Sequence, residues 1–343
     1  MRGARARELG IVIGDLEPGP LNTITDVAGT RVGHTTLVAG DDVRTGVTVV
    51  VPTGDGSACF AAPHRLNGNG ELTGLEWVRE SGLLTTPVAL TNTFSVGVVR
   101  DALVTYQHER GRGEWHLPVV GETYDGRLND IEGMHVRAEH VFAAIDAATG
   151  ERVDEGAVGG GTGMICHGFK GGIGTSSRAM SGGHVLGVLV QANHGRRTRF
   201  AVNGVPVGRE LGGIPLHGGD AAAGSIIVLV ATDAPLLPHQ CERVAARAAL
   251  GIARTGGAGE NSSGDLILAW STGNRLADGP EQAVTLLANE RLDELFYAAI
   301  DATEEAILNA LLAAETMTGR DGNTAHALEP DLLLDTLGRR VST

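Results

Sequence analysis

Short apolar segments, rich in β-branched residues and bounded by glycine, proline or polar residues, recur along the 343-residue chain. This pattern predicts strands, several of them buried on both faces. The predicted strands cover residues 46–52, 87–92, 184–191, 225–231 and 264–271. Other segments repeat apolar residues every three to four positions, which is typical of helices with one buried face. The predicted helices cover residues 69–81, 131–147, 236–253 and 292–314.

The order of these segments indicates how the chain is organised. Asp233 and Pro235 precede the third predicted helix, where an aspartate can cap the first turn and a proline suits its start. The glycine-rich stretch 208–224 is typical of a surface excursion, because apolar strands flank it and no proline- or serine-rich spacer occurs. With no internal repeat, the pattern predicts one α/β or α+β domain built from stacked layers of sheet and helix.

Charge and composition narrow the classes of function. The chain carries 27 Lys and Arg against 41 Asp and Glu, a formal net charge of −14. This excess of acid argues against a nucleic-acid partner, since affinity for a polyanion depends largely on Lys and Arg. Aromatic residues are scarce, and the 51 glycines follow no three-residue period, so they predict turns and close backbone approaches. A site for a polar small molecule or a peptide fits this composition better than a base-stacking surface.

The cysteines and the apolar segments bear on the compartment. Cys59, Cys166 and Cys241 are odd in number and far apart, so we expect reduced thiols and no disulfide framework. The first residues lack the apolar run of a secretory signal. No window approaches the roughly 20 apolar residues of a membrane span. We therefore expect a cytoplasmic protein with no membrane partner.

Motifs typical of cofactor, metal or triad chemistry are missing from the sequence. The glycine-rich run 159–177 contains Lys170, but Gly171 follows it, so the spacing of a phosphate-binding loop fails. The twelve histidines include no HExxH motif, and the spacing of His135 and His140 does not put them on one helical face. No GxSxG turn marks an exposed serine nucleophile. The sequence therefore predicts neither a cofactor nor a metal.

The segment GENSSGDLILAWSTGN at 259–274 contains the serines of greatest interest. A polar, glycine-rich loop leads Ser262 and Ser263 directly into a predicted buried strand. On this motif alone, a turn or strand-entry role explains the two serines better than catalysis does.

Nine blocks spread in order over nearly the whole chain carry a resemblance to a known family. They are ITDVAGTRVGH at 24–34, NGNGELTGLEWV at 67–78, LTNTFSVG at 90–97, GETYDGRLNDI at 121–131, GAVGGGTGMICHGFKGGIGTSSR at 156–178, LGVLVQANHG at 186–195, ATDAPLLPHQ at 231–240, NSSGD at 261–265 and DATEEAILNAL at 301–311. Together they resemble the DmpA-like aminopeptidase family (L-aminopeptidase/D-amidase/esterase), whose relatives include β-peptidyl aminopeptidases.

The resemblance implies a self-processing hydrolase of the N-terminal-nucleophile type. The implied fold is α+β, a four-layer αββα sandwich like those of DmpA and ornithine acetyltransferase. Residues 1–343 would form a single catalytic domain that cuts itself between Ser262 and Ser263. The products would be a large chain, 1–262, and a small chain, 263–343. Because family members assemble into symmetric multimers, a homo-oligomer of such processed heterodimers is also implied.

The implied cleavage has a chemical reason. A serine hydroxyl is a weak nucleophile until a base accepts its proton, and a free α-amine with a pKa of about 7.7 to 8.0 can be that base. Before cleavage the nitrogen of Ser263 is an amide, so processing would create the catalyst. Ser263 would first attack the carbonyl of Ser262 and would later form an acyl-enzyme that water releases. Many family members have glycine where this chain has Ser262, but the following Gly264 and Asp265 favour Ser263 as the nucleophile.

The resemblance assigns roles to other polar residues. Asn193 matches a family asparagine that stabilises the oxyanion, and Tyr124 matches a second donor or substrate contact. From the residues alone, a turn residue and a packing ring remain the alternatives. Glu122 is the candidate carboxylate for the ammonium of the substrate, with Asp265 as the second candidate.

A hydroxyl-x-Glu pair in the fourth predicted helix completes the implied site. Thr303 and Glu305 match the family pair that orients the N-terminal serine, and a shift by one position would select Glu304 instead. Residues two apart do not share a helical face. Both would reach the site only near a helix start or a bend.

The sequence as a whole predicts a serine aminopeptidase that acts on short peptides, amides or esters with a free amine, of D-stereospecific or β-peptidyl type. One alternative is an acyltransferase resembling ornithine acetyltransferase, which the serine disfavours because that relative typically uses threonine. The other is a non-catalytic binding protein with the same fold. The preference among L-, D- and β-residues depends on pocket walls that spacing does not locate.

Overall fold

A computed structural model of the chain describes residues 3–111, 113, 115–216, 224–274, 276 and 280–341. The glycine-rich stretch predicted as a surface excursion therefore lies partly outside the described residues, at 217–223. In the part that is described, residues 211–213 and 216 include exposed positions, as a surface excursion requires.

The described residues form six helices and fourteen strands, most of them in two sheets. The strands are β1 (Arg31–Ala39), β2 (Val43–Val51), β3 (Cys59–Gly68), β4 (Leu83–Leu84), β5 (Val88–Asn92), β6 (Val119–Thr123), β7 (Ile165–Cys166), β8 (Phe169–Lys170), β9 (Gly172–Ala179), β10 (Val185–Ala192), β11 (Ile226–Thr232), β12 (Gly264–Ser271), β13 (Met317–Thr318) and β14 (Thr324–Ala325). The helices are α1 (Leu75–Ser81), α2 (Val96–Glu109), α3 (Ala138–Asp146), α4 (Pro238–Arg254), α5 (Leu292–Ala313) and α6 (Pro330–Val341). One sheet has the order β1-β2-β5-β6 and the other β4-β3-β12-β11-β10-β9, with two short hairpins, β7-β8 and β13-β14, beside them.

Three hydrophobic cores separate four layers of structure. Along β12, Leu266 and Leu268 enter the core between the two sheets, whereas Ile267 enters the core shared with α4 and α5. Along β2, Val50 joins the core between the sheets and Val49 joins a third core with α2 and α3. Successive side chains of a strand point to opposite faces of the sheet. Because neighbouring positions in these strands are all apolar, each sheet has two apolar faces. The layers follow the order helix, sheet, sheet, helix, and the predicted α+β, αββα sandwich is confirmed.

The five predicted strands correspond to β2, β5, β10, β11 and β12, and two predicted helices correspond to α4 and α5. The other two helices are shorter than predicted. The predicted helix 69–81 begins only after Gly74, whose φ is +73°, and the predicted helix 131–147 begins only after Met134, whose φ is +45°. Left-handed backbone does not continue a right-handed helix, so Gly74 sets the start of α1. Met134 ends a single turn at 131–133, and α3 begins at Ala138, after the extended Arg137.

Strand β9 shows why several strands and helices were not predicted. It is buried along most of its length although it carries Thr175, Ser176 and Arg178. Their polar groups are satisfied internally: Thr175 Oγ1 donates to the carbonyl of Val188, and Ser176 Oγ donates to the carbonyl of Ala302. Because these partners are distant in the sequence, the local pattern looks too polar for a buried strand.

The second sheet gathers several chain segments at one edge. Strand β12 lies between β3, which is antiparallel to it, and β11, which is parallel. Gly264 is opposite Gly68 at the end of β3, and Asp265 is opposite Ile226 at the start of β11. Ile226 in turn is opposite Ala192 at the end of β10. The residues after β3 and β10 and those before β11 and β12 therefore meet at this edge. No helix in the described part of the chain is long and apolar enough to span a membrane.

Candidate active site

Ser263 lies at the edge of the second sheet, directly before β12, and is only 6% exposed. Its hydroxyl donates a hydrogen bond to Oδ1 of Asp265 at 2.6 Å, and its backbone N–H donates to the carbonyl of Glu260 at 2.7 Å. Burial raises the pKa of Asp265 to about 6, while the hydrogen bond from Ser263 acts in the opposite direction. The serine therefore faces a carboxylate that is able to accept a proton near neutral pH.

Two asparagines at the end of β3 and directly after it hold the peptide groups on either side of Ser263. Asn69 Nδ2 donates to the carbonyl of Ser262 at 2.8 Å. Asn67 Nδ2 donates to the carbonyl of Ser263 at 2.5 Å, and the backbone N–H of Asn69 donates to the same oxygen at 3.3 Å. A Cβ at Gly264 would lie 2.6 Å from the carbonyl oxygen of Asn69, so only glycine allows this approach. The sequence reasoning assigned no role to these asparagines, although both belong to the block NGNGELTGLEWV.

Asn193 lies beside the same edge, after β10. Its side chain is held at both ends: Oδ1 accepts from the backbone N–H of Ile165 at 2.7 Å, and Nδ2 donates to the carbonyl of Tyr124 at 3.0 Å. Its backbone N–H donates to the carbonyl of Ser225, whose hydroxyl accepts from the backbone N–H of Gly264. The structure therefore connects Asn193 to the residue that follows Ser263.

Tyr124 is 47% exposed, directly after β6. A Cβ at Gly126 would lie 2.4 Å from its hydroxyl oxygen, so the ring folds back over Gly126. The backbone of Tyr124 contacts Asn193, whereas its hydroxyl has no hydrogen bond among those the described residues make. That hydroxyl is free to turn toward a bound substrate.

Glu122 is buried at the end of β6. Its carboxylate accepts hydrogen bonds from the hydroxyl of Thr93 and, at 3.0 Å, from the backbone N–H of Glu71. Burial raises the pKa of this carboxyl, and the two hydrogen bonds counteract the rise. A Cβ at Gly70 would lie 3.0 Å from Oε1 of Glu122 and 3.2 Å from Cα of Gly264. The carboxylate thus lies against the start of β12, close to Ser263.

A small pocket, with room for about one water molecule, lies over the serine in the uncut chain. Its lining includes His194, Gly224, Glu260, Ser263 and Asp265. His194 is a site residue that the sequence reasoning missed, since a single histidine after a strand carries no local signal. Burial holds its pKa well below the usual value, so the imidazole is neutral.

Cys166, His167 and His194 form the group that could hold a metal ion among the described residues. One ligand atom from each lies within 4.8 Å of the others, and Cys166 Sγ is 3.7 Å from Nδ1 of His194. Burial raises the pKa of the Cys166 thiol to about 12, so the sulfur carries its proton. A metal would first have to displace that proton, because the thiolate is the form that binds metals. The buried amino group of Lys170 lies close enough for its positive charge to act on the Cys166 thiol. The same positive charge would repel a metal cation bound there.

Thr303 and Glu305 lie in α5, away from Ser263. The carboxylate of Glu305 pairs with Arg178 on β9 at 2.7 Å. Arg178 is opposite Leu186, Leu186 is opposite Thr232, and Thr232 is opposite Ser271 at the far end of β12. The pair therefore lies at the opposite end of the sheet from the serine.

The contacts of Thr303 and Glu304 also lie away from the serine. The hydroxyl of Thr303 donates to the carbonyl of Ala299 at 2.6 Å, one turn earlier in the helix. Glu304, the alternative to Glu305, pairs with Arg254 at 2.6 Å. The structure thus brings together Ser263 and the four predicted residues Asp265, Glu122, Asn193 and Tyr124, but not Thr303, Glu304 or Glu305. Later residues of α5 come closer to that edge, since Asn309 donates to the carbonyl of Thr175 and Ala310 packs on Gly174. Thr303 and Glu305 lie too early in the helix to reach it, a placement that sequence spacing does not reveal.

The αββα layers, with a buried serine facing a carboxylate at the start of an interior strand, define a hydrolase with the N-terminal-nucleophile fold. The chain belongs to peptidase family S58, whose sequence pattern matches residues 22–325. "Beta-peptidyl aminopeptidase BapA" of Sphingosinicella microcystinivorans is 48% identical over 356 residues, which cover 95% of this chain and 90% of that protein. The predicted family and the predicted hydrolase class, a serine aminopeptidase, are confirmed.

Solved structures give the same assignment. The "Burkholderia sp. beta-aminopeptidase" superposes with a TM-score of 0.94 at 52% identity, covering 98% of this chain and 99% of that one. The L-aminopeptidase D-Ala-esterase/amidase of Ochrobactrum anthropi, described as a prototype for the serine aminopeptidases with a variant of the Ntn hydrolase fold, superposes with a TM-score of 0.91 at 40% identity, covering 98% of each chain.

Proposed function

We propose that this aminopeptidase releases N-terminal residues from short peptides, amides and esters with a free amine, β-amino acid residues included. The observation that carries the proposal is the buried Ser263 hydroxyl, 2.6 Å from a carboxylate and next to Glu122. The inclusion of β-residues is supported by two relatives at 48% and 52% identity, a β-peptidyl aminopeptidase and a β-aminopeptidase.

Ser263 is the proposed nucleophile, active once the chain is cut before it into chains 1–262 and 263–343. Its new α-amine would then accept the hydroxyl proton, and the acyl group of the substrate would pass to Oγ and from there to water. Asn193 and Tyr124 are proposed to donate to the oxyanion of this step. Support comes from the connection of Asn193 to Gly264 through Ser225 and from the half-exposed side chain of Tyr124, whose backbone carbonyl contacts Asn193.

We place the active protein in the cytoplasm as a homo-oligomer of processed heterodimers. Three buried, free cysteines suit a reducing compartment. Phe94 and Met134 are each about half exposed, and such apolar surfaces suit contacts with a second copy.

Glu122 is proposed to bind the ammonium group of the substrate. Glu122→Gln keeps the size and an oxygen that accepts from the backbone N–H of Glu71, turns the contact with Thr93 into one in which the amide nitrogen donates to the hydroxyl, and removes the charge. We expect KM to rise at least about tenfold for substrates with a free amine, because the loss of a buried charge partner costs about 2 to 5 kcal/mol. Since burial raises the pKa of this carboxyl, KM of the unaltered enzyme should also increase as the pH falls and the carboxylate takes up a proton.

Steady-state kinetics on an aminoacyl nitroanilide check this prediction. Glu71→Gln is the matched control: it removes an exposed charge that raises the pKa of Glu122 but keeps the backbone N–H that donates to the carboxylate. Equal KM values for Glu122→Gln and the control would assign the ammonium to another carboxylate, with Asp265 as the first candidate.

The proposed function is tested on purified protein with L-, D- and β-aminoacyl nitroanilides. Denaturing electrophoresis should show fragments of about 27 and about 8 kDa, at roughly 0.1 kDa per residue, and the smaller should begin with Ser263. Release of nitroaniline from the β-substrate supports the proposal. Transfer of acetyl groups from an acetylated donor to an amine, without hydrolysis, would instead favour the acyltransferase, and a single inert full-length band would favour the binding protein.

A further inference from the structure

Self-cleavage raises a chemical problem that turnover does not. Before the cut, the nitrogen of Ser263 is an amide that donates to the carbonyl of Glu260 at 2.7 Å. It has no lone pair available to accept the hydroxyl proton. The precursor therefore needs a different proton acceptor, and the carbonyl of Ser262 needs its own donor when it becomes an oxyanion.

We propose that Asp265 accepts the proton of the Ser263 hydroxyl and that Asn69 stabilises the oxyanion on Ser262 during self-cleavage, a set of groups separate from the one used in turnover. This inference rests on the proposed function, since it concerns the cut that creates the active enzyme.

The position of Asn69 carries the oxyanion assignment. Its Nδ2 already donates to the carbonyl of Ser262 at 2.8 Å, the atom on which the negative charge would develop. The backbone of Asn69 is fixed as well, because its N–H donates to the carbonyl of Ser263 and its carbonyl approaches Gly264 too closely for any Cβ. A donor held before the reaction stabilises the developing charge without reorganisation.

The position of Asp265 carries the assignment of the proton acceptor. Its Oδ1 is 2.6 Å from the hydroxyl of Ser263, and the residue is 1% exposed. The other titratable groups at the pocket are less suited: Glu260 is paired with Arg196 at 2.8 Å, and the hydroxyl of Ser263 already points to Asp265. The neutral His194 lines the same pocket but pairs with Cys166.

The chemical steps balance without a further reactant except water. Oγ of Ser263 bonds to the carbonyl carbon of Ser262, closing a five-membered ring, as its proton passes to Asp265. The C–N bond between the two serines then breaks, and Asp265 returns the proton to the departing nitrogen, which becomes the α-amine. Water hydrolyses the resulting ester, releasing the carboxylate of Ser262 and restoring the hydroxyl of Ser263.

Asn193 does not contact the carbonyl of Ser262 in the uncut chain, and we assign it to turnover only. In the uncut chain its Nδ2 donates to the carbonyl of Tyr124 and its Oδ1 accepts from Ile165. The carbonyl of Ser262 is held by Asn69 instead. The oxyanion of self-cleavage would thus accept a hydrogen bond from Asn69, and the oxyanion formed on the substrate would accept one from Asn193.

The test measures conversion of the full-length chain into two fragments, followed by electrophoresis and mass spectrometry. Asn69→Ala should slow conversion about 10²- to 10³-fold, the usual effect of removing one oxyanion donor. Asn261→Ala is the matched control: Asn261 is an exposed asparagine in the same loop, and it should convert at the unaltered rate. Equal rates for Asn69→Ala and the control would overturn the role of Asn69.

A second form of each variant separates maturation from folding and from turnover. A recognition sequence for a site-specific protease that cuts directly before a serine is inserted between Ser262 and Ser263, so that added protease exposes Ser263. After this external cut, Asn69→Ala should regain aminopeptidase activity within a few-fold of the control. An Asn69→Ala protein that stays inactive after the cut, while the control is active, would assign Asn69 a structural role and overturn the proposal.

The pH dependence of conversion tests Asp265. Since burial raises its pKa to about 6, the conversion rate should fall below about pH 6, where the carboxylate is protonated and no longer accepts a proton. Glu260, which raises this pKa by its charge, and the neutral His194 are the other titratable groups that face it. Asp265→Asn should convert at least about 10²-fold more slowly and lose this pH dependence.

Failure of the roles of Asp265 and Asn69 can be distinguished from failure of the proposed function. An Asp265→Asn chain that keeps the unaltered pH profile would overturn the role of Asp265 while leaving self-cleavage intact. If the unaltered chain itself never converts, the proposed function fails first, whatever the variants do.

Discussion

Ser263→Ala should give a chain that stays at full length and hydrolyses no aminoacyl nitroanilide. The substitution removes the hydroxyl that donates to Oδ1 of Asp265, and that hydroxyl is the proposed nucleophile of both the cut and the turnover. Loss of a serine nucleophile lowers kcat on the order of 10⁶-fold in enzymes where it acts with its base as a unit. We expect fragments of about 27 and about 8 kDa to be absent after long incubation, at roughly 0.1 kDa per residue.

The neighbouring serine provides the matched control. Ser262 is exposed, whereas Ser263 is buried against Asp265. Ser262→Ala keeps the carbonyl that Asn69 contacts, so it should convert and hydrolyse substrate at close to the unaltered rates. Normal cleavage of Ser263→Ala, with none in Ser262→Ala, would move the nucleophile to Ser262. Circular dichroism of each chain is the check that the fold is retained.

Glu305→Ala should destabilise the protein by about 3 to 5 kcal/mol, the usual cost of leaving a buried charge without its partner. The carboxylate is fully buried between Arg178 at 2.7 Å and Arg7 at 3.2 Å, and it accepts from Asn22 Nδ2 at 2.6 Å. Without it, the buried guanidinium of Arg178, whose pKa burial already lowers, faces an empty space. Urea unfolding followed by circular dichroism measures the effect on the free energy of unfolding.

This prediction separates a structural role for Glu305 from the orienting role implied by the family resemblance. If Glu305 orients Ser263, Glu305→Ala should keep its stability and lose its turnover. If its role is structural, the protein that remains folded should keep most of its activity, and Thr303→Val, which removes only the bond to Ala299, should be active. Asp293→Ala, an exposed carboxylate on the same helix, is the control and should change stability by less than about 0.5 kcal/mol.

The parts of the fold that were predicted share one property. In β12 and in α4, the apolar pattern within a few residues is enough to decide the structure, because each buries continuous apolar surface. The predicted helix 69–81 is wrong in its first half because a glycine with positive φ interrupts it. Strand β9 was missed because its buried polar groups are satisfied by Val188 and Ala302, which lie far away in the sequence.

The residues of the candidate site are of two kinds, those that a local motif identifies and those that only the fold brings together. Ser263 and Asp265 are two residues apart, so their motif could be identified in the sequence. Asn69 and His194 reach the site only because β3, β10 and β12 end or begin at one sheet edge. Their spacing along the chain carries no signal of this, and the sequence gives neither of them a role.

The sequence by itself determined the class of this protein: the apolar pattern defined its main strands and helices, and ordered motifs along the chain indicated an aminopeptidase with Ser263 as its nucleophile. The tertiary structure alone decided which polar groups surround that serine. Strand register brings Asn69 and Asn193 to it and places Glu305 at the other end of the sheet. The physical reason is that local propensity fixes single elements, whereas contacts between distant residues depend on the burial shared by all four layers.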